Sequence, residues 1–263
     1  MAFDKNELIL DKVRSLTASD LSTDEMLFRL TSLEDPSLTC TAEGEEVTDA
    51  VGAVITTLYR SKKATFSATN SLISLDLAAA QYGAKKEIAG ADNAKMLDYT
   101  YDILAVSEGK AQMKHKPANK DDVKYIYTVE NGEVGKSFKA GAEVSATEFT
   151  VTDAGEITVP TGVTGKIYVE YQFETENAVR IVNKASEFPE ACKVVIYAYF
   201  RDKCNENIVY SGKIICPKAK LNPESVELAL TSTGKHAFEL TMMKDYCVEE
   251  GEDQLFTIIV AED

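Results

Sequence analysis

Apolar and polar positions alternate along much of this chain with the two-residue period of a half-buried β-strand. Residues 193–201 (Lys-Val-Val-Ile-Tyr-Ala-Tyr-Phe-Arg) are rich in β-branched and aromatic side chains. A turn at Asn205-Glu206-Asn207 leads into residues 208–215, whose pattern predicts a second strand. Pro217 is expected to end it, because proline removes a ladder donor. Residues 226–230 alternate, Ser232-Thr233-Gly234 predicts a turn, residues 237–242 alternate again, and residues 255–260 predict a last strand. Five strands joined by turns point to an antiparallel sandwich or barrel.

The first part of the chain has a similar texture. Residues 27–30 and 38–41 predict strand pieces, and residues 49–52 a hairpin connection into residues 53–59. A basic cluster, Arg60-Ser61-Lys62-Lys63, then precedes a short strand at 64–68. One helix is expected over about 70–82, with Asn70 or Ser71 as its N-cap and Gly83 where a C-terminal cap belongs. Between about 120 and 173 the pattern shortens. Strands are predicted at 123–127, 148–151, 156–159 and 166–171, with turns at 131–132, 153–155 and 161–165. The fold class expected is mainly β: a β-sandwich or barrel with one principal flanking α-helix and an extended hairpin or loop, α+β by strict count. The expected organisation is a β core in two parts, 1–117 and 175–263, interrupted by a β-rich insert or elaborated arm at 118–174.

Composition narrows the class. With 263 residues, 44% hydrophobic and 27% charged, the chain can bury a sizeable core. It has no apolar run long enough for a membrane-spanning helix. The first residues, Met1 to Glu7, are acidic and mixed and lack the basic and apolar regions of a signal peptide, so synthesis in a cytoplasm is expected. The five cysteines, Cys40, Cys192, Cys204, Cys216 and Cys247, are odd in number and widely spaced, which makes a poor disulfide or zinc framework. Cys192, Cys204 and Cys216, spaced 12 apart, read instead as small apolar residues at strand edges. The net charge of −15 disfavours a protein that grips nucleic acid and is compatible with one that lets it pass.

Candidate chemistry is sparse. Neither His115 nor His236 has a nucleophile setting, and Gly-x-Ser-x-Gly is absent. Gly135-Lys136-Ser137 resembles the end of a phosphate-binding loop, but Glu130 stands where the first glycine belongs and the following residues do not predict a helix. The acidic clusters at 43–46 and 249–253 lack the ligand spacing of an EF-hand and read as solvated turns. A carboxylate pair for glycosidic chemistry meets only in the fold, and the absence of tryptophan disfavours a carbohydrate platform. No catalytic, cofactor-binding or metal-ligating residue is expected. Arg60, Lys62 and Lys63 are either a solvated hairpin end or an electrostatic contact to an acidic patch on a neighbouring copy.

The stretch from Ala53 to Gly83 is similar to tail-tube and related virion proteins of phages of Gram-positive bacteria. So are residues 214–221, with Pro217-Lys218-Ala219, the alternating run 226–230, and 232–240. The resemblance covers roughly residues 25–115 and 175–260. It implies a β-sandwich or barrel with a flanking helix, six copies in a ring, and stacked rings through which genomic DNA passes without specific binding. It further implies other tail proteins as partners, a place in the virion tail, and no enzymatic activity. Alternatives are a tail terminator, a decoration protein or a carbohydrate-binding β module.

Overall fold

A computed structural model describes residues 7–90, 94–205, 207–224, 226–231, 234–244 and 254–261. The strands are β1 (Leu8–Asp20), β2 (Met26–Leu30), β3 (Leu33–Thr48), β4 (Val54–Asn70), β5 (Glu87–Ile88), β6 (Met96–Ala105), β7 (Lys110–Gln112), β8 (Tyr125–Glu130) and β9 (Glu133–Ala140). They continue as β10 (Glu148–Val151), β11 (Glu156–Thr158), β12 (Lys166–Thr175), β13 (Val179–Arg180), β14 (Ala191–Asp202), β15 (Val209–Leu221), β16 (His236–Met242) and β17 (Thr257–Ala261). The α-helix, α1, is Leu75–Tyr82. The expected mainly β class with one principal helix is what the chain forms. It packs into two compact units, one from Met1–Lys86 with Ile181–Asp263, the other Glu87–Arg180.

In the first unit the strands run in the order β2-β1-β14-β15-β16-β4-β3, with β17 pairing a second stretch of β15. The sheet curls so that β1 also comes near β3. Its inner face carries one core, including Leu16, Phe28, Phe66, Ile196, Leu221 and Leu240, with Leu77 of α1 packed into it. Alternation produces this directly: β14 and β16 each bury every second residue.

Several elements differ from the expectation for identifiable reasons. β15 does not stop at Pro217 but runs to Leu221, because the register shifts between Cys192 and Val194 and the proline falls in that bulge, where no ladder donor is required. Pro36 sits likewise in a bulge of β3, beside Asp35 at φ 48°. The helix starts later than expected. Asn70 and Ser71 are committed elsewhere, the Asn70 amide donating to Leu72 O and the Ser71 hydroxyl to Ser32 O, so Ser74 becomes the cap and accepts from Leu77 N at 3.3 Å. Gly83 closes α1 in the left-handed conformation at φ 65°, and a Cβ there would lie 2.2 Å from Phe188 O. Residues 226–230 form only an isolated bridge, Leu228 to His236. The expected turn residues Glu206, Ser232 and Thr233, together with Met1 to Asn6, Cys247 and the 249–253 cluster, lie outside the described residues.

The second unit is a seven-stranded sheet in the order β6-β12-β8-β9-β10-β11-β7 around its own core of Val123, Ile126, Phe149, Ile157, Ile167 and Val169. β5 and β13 form a separate two-stranded pair. Asn131 and Gly132 both take positive φ, as a tight hairpin turn between β8 and β9 requires. The run resembling a phosphate loop therefore lies on β9 with no helix after it; the Lys136 ammonium sits 4.9 Å from the Phe138 ring centre.

Candidate assembly surface

The basic cluster occupies an unexpected place. Arg60 to Lys63 do not end a hairpin; they lie inside β4, a single strand of 17 residues. Below them, Ala64 to Asn70 alternate buried and half-buried, flanked by β3 on one side and β16 on the other. Above them, Val54 to Lys63 pair with β3 alone among the described residues. The boundary is marked by a bulge: Ser61 and Lys62 oppose Ala42, and Ser61 takes φ 52°. Beyond it β3 and β4 continue as a two-stranded ribbon of about 20 Å at the usual rise per residue. Its tip is an aspartate-capped turn, where Asp49 Oδ1 accepts from Val51 N at 3.0 Å and Ala53 N at 2.8 Å.

The sequence favours a strand here because Val54-Ile-Thr-Thr-Leu-Tyr59 is almost wholly β-branched or aromatic. Yet the ribbon has nothing to bury these side chains against. Val51 is 89% exposed, Tyr59 74% and Ile55 66%. A two-stranded ribbon is marginal in water by itself, and an apolar free edge invites pairing with another chain. β17 adds a second open edge, paired on β15 alone among the described residues, with Ile258 and Ile259 exposed.

Of the three expected contact residues, Arg60 pairs with Glu45 at 3.6 Å and Lys63 with Glu43 at 3.8 Å, both within the ribbon. These bridges are solvated and contribute little. Lys62, in the bulge, makes no ion pair among the described residues. The glutamates of the 43–46 cluster thus face the basic cluster across the ladder. The exposed apolar side chains of the ribbon escaped the sequence reading, although the run Val54 to Tyr59 carries the signal in its lack of strict alternation.

Elsewhere the polar groups are structural. His236 is fully buried, its Nδ1 accepting from Ser74 N at 3.4 Å. His115 stacks on Phe173 with ring centres 4.1 Å apart. Cys192 and Cys216 are buried, and burial pushes their thiols up to about 12 and about 11; Cys40 and Cys204 are exposed, so Cys204 does not pack as a small apolar residue. Among the described residues no group of three or more His, Cys, Asp or Glu is placed to hold a metal ion.

The model of the YomU/Tube protein family matches residues 8–251, which takes in both units. The chain belongs to that family. It is a structural protein of a phage tail tube, and the tube-family match extends through residues 116–174, where the sequence resemblance is loose. No curated protein matches it. No helix of this tube-family chain among the described residues is long and apolar enough to cross a membrane.

Proposed function

We propose that this tube-family chain assembles head to tail into closed, hexameric rings that stack into the conduit for genomic DNA, with no turnover chemistry. The observation that supports this most is the β3–β4 ribbon, a strand pair apolar on its surface and unpaired along both edges among the described residues. Such an edge is a liability in a monomer and a connector in a ring, where the contact repeats and closes. Arg60, Lys62 and Lys63 then serve as inter-subunit contacts, Lys62 first, because the other two already have partners in their own ribbon. The unit at Glu87–Arg180 is an elaboration of the tube core that takes no part in closing the lumen. The acidic surface lets DNA slide without adhering.

Negative-stain electron microscopy of the purified chain over a concentration series tests the reading. Hollow rings or tubes with a regular axial repeat are expected, on their own or after addition of a tail initiator complex. Dispersed monomers at every concentration and with the initiator present would rule it out.

A further inference from the structure

Strand β6 turns its more apolar side outward. Leu97, Tyr99, Tyr101 and Ile103 are exposed, whereas Met96, Asp102 and Leu104 on the alternate positions are buried. A half-buried strand ordinarily does the reverse. The register explains what this exposed row meets. Across it on β12, Tyr168 lies beside Ile103, Glu170 beside Tyr101 and Gln172 beside Tyr99; on β12's other side Tyr127 of β8 lies beside Tyr168. The rings form one connected surface. Tyr101 and Tyr168 stack at 5.4 Å with 27° between their planes, Tyr127 meets Tyr168 edge-on at 6.2 Å, and Tyr125 lies 6.5 Å from Tyr127.

A carboxylate sits among these rings. Tyr99 donates its hydroxyl to Glu170 Oε2 at 2.6 Å, and Tyr168 donates to Oε1. Those bonds hold Glu170 ionised below the usual carboxylate range, the Tyr168 hydroxyl contributing most. Two of the roughly four acceptor sites of the carboxylate remain open. Among the described residues Glu170 has no cationic partner, and Glu174 on the same side of β12 adds to the negative charge. Lysines flank the row: Lys166 lies two residues along β12 from Tyr168, Lys139 opposite Tyr125, and Lys95 just before β6, where it pairs with Glu176 at 3.4 Å.

This charge pattern selects the occupant. Phosphates, sulfates and nucleic acid are repelled by Glu170 and Glu174. A second copy laid on the face would have to bring a cation to Glu170, from a chain whose 43 acidic residues outnumber its 28 basic ones. A polyol instead offers hydroxyl donors to Glu170 and Gln172 and lays its C–H faces on the tyrosine rings. We propose that the outer face of β6, β12 and β8 is a platform for a neutral polysaccharide, with Tyr101 and Tyr168 as the stacking rings and Glu170 as acceptor of sugar hydroxyls. It is independent of ring assembly, since a chain that forms no tubes still carries this face.

The test is native affinity electrophoresis of the full chain in gels containing dextran, glucomannan, laminarin or hydroxyethyl cellulose, with heparin and polylysine as charged controls. Retardation is expected in at least one neutral polysaccharide and not in heparin. Tyr101→Ala with Tyr168→Ala should weaken it by at least about tenfold. Tyr168→Phe, which keeps the ring and loses the hydroxyl, should weaken it less. Both variants should keep the fold, checked by circular dichroism, because Tyr101 is exposed and Tyr168 only half-buried on the outer face. Four results overturn the proposal: no retardation in any neutral gel, retardation equal in the double variant, retention by polylysine alone, or a change in sedimentation instead of glycan binding.

Discussion

His236 Nε2 lies 2.5 Å from Gln81 Oε1, joining the start of β16 to the last turn of α1 across 155 residues of sequence. The Gln81 carbonyl can only accept, so the imidazole donates from Nε2, and its Nδ1 is left to accept from Ser74 N. Gln81 completes the clasp by donating from its amide to Ala237 O at 3.2 Å. The histidine is therefore neutral, with every ring nitrogen in use, and the helix is seated on the sheet through it.

Burial pulls the imidazole pKa below its ordinary value of 6.5. The folded state thus binds fewer protons than the unfolded state near that pH. Its stability contribution is present above 6.5 and is lost as pH falls through the lower folded value. Denaturant unfolding at pH 7.5 and 5 should show the loss, and the slope should shrink in His236→Gln. His236→Ala should cost about 2–4 kcal/mol, since it leaves a cavity and unpaired groups on Gln81 and Ser74.

At Gly83 the obstacle is backbone. The left-handed φ and the approach to Phe188 O leave no room for a methyl group, and no side chain can rotate away. Gly83→Ala should destabilise the first unit by about 1–3 kcal/mol, read as a lower denaturant midpoint at unchanged m-value. An unchanged midpoint would contradict this packing.

The second unit has its own buried anion. Asp102 accepts from the Tyr171 hydroxyl at 2.7 Å and from Lys114 N at 2.9 Å, with the Lys114 ammonium 3.1 Å away. Burial alone would raise its pKa, but these partners together hold it below the ordinary 3.8. The contribution is present above 3.8 and disappears as pH falls through the depressed value. Tyr171→Phe should cost about 1–3 kcal/mol and make acid unfolding begin at a higher pH, followed by circular dichroism.

Charge reversal at Lys62 and Lys63 separates folding from assembly. Both side chains are exposed, and the Lys63 bridge to Glu43 is solvated, so the double variant K62E/K63E should change monomer stability by less than about 1 kcal/mol. Ring or stack formation should require a protein concentration raised by about tenfold or more. Sedimentation at matched concentrations checks it; assembly indistinguishable from wild type would remove the cluster from the interface. Ile55→Ser should act in the same direction, because its side chain contributes nothing to the core.

Much of the fold was legible because alternation reports burial. The pattern gives β10 residue for residue and β14 and β16 nearly so, and Gly83 marks the end of α1. The misses share a cause. β1 escaped notice because bulges between Leu10 and Lys12 and between Val13 and Ser15 break its period. β6 escaped because its outward side is the apolar one and its inward side contains Asp102. The pattern divides β4 at Arg60 to Lys63 because four polar residues in a row look like a turn, whereas they straddle a bulge in a continuous strand. The tyrosines of the second unit were visible as letters, but their meeting depends on three strands distant in sequence.

What the sequence by itself determined is the local part: β-rich texture, turn positions, a single helix, an acidic surface and membership of a tube-like pattern. Those follow from residue preferences and side-chain period, which act over a few neighbours. The tertiary structure alone decided where strand pairing stops. It left Val54 to Lys63 with one neighbour, placed Glu170 among tyrosines, and set His236 against Gln81. Register and edge exposure are properties of strands far apart in the chain, and no local preference encodes which of them remains unpaired.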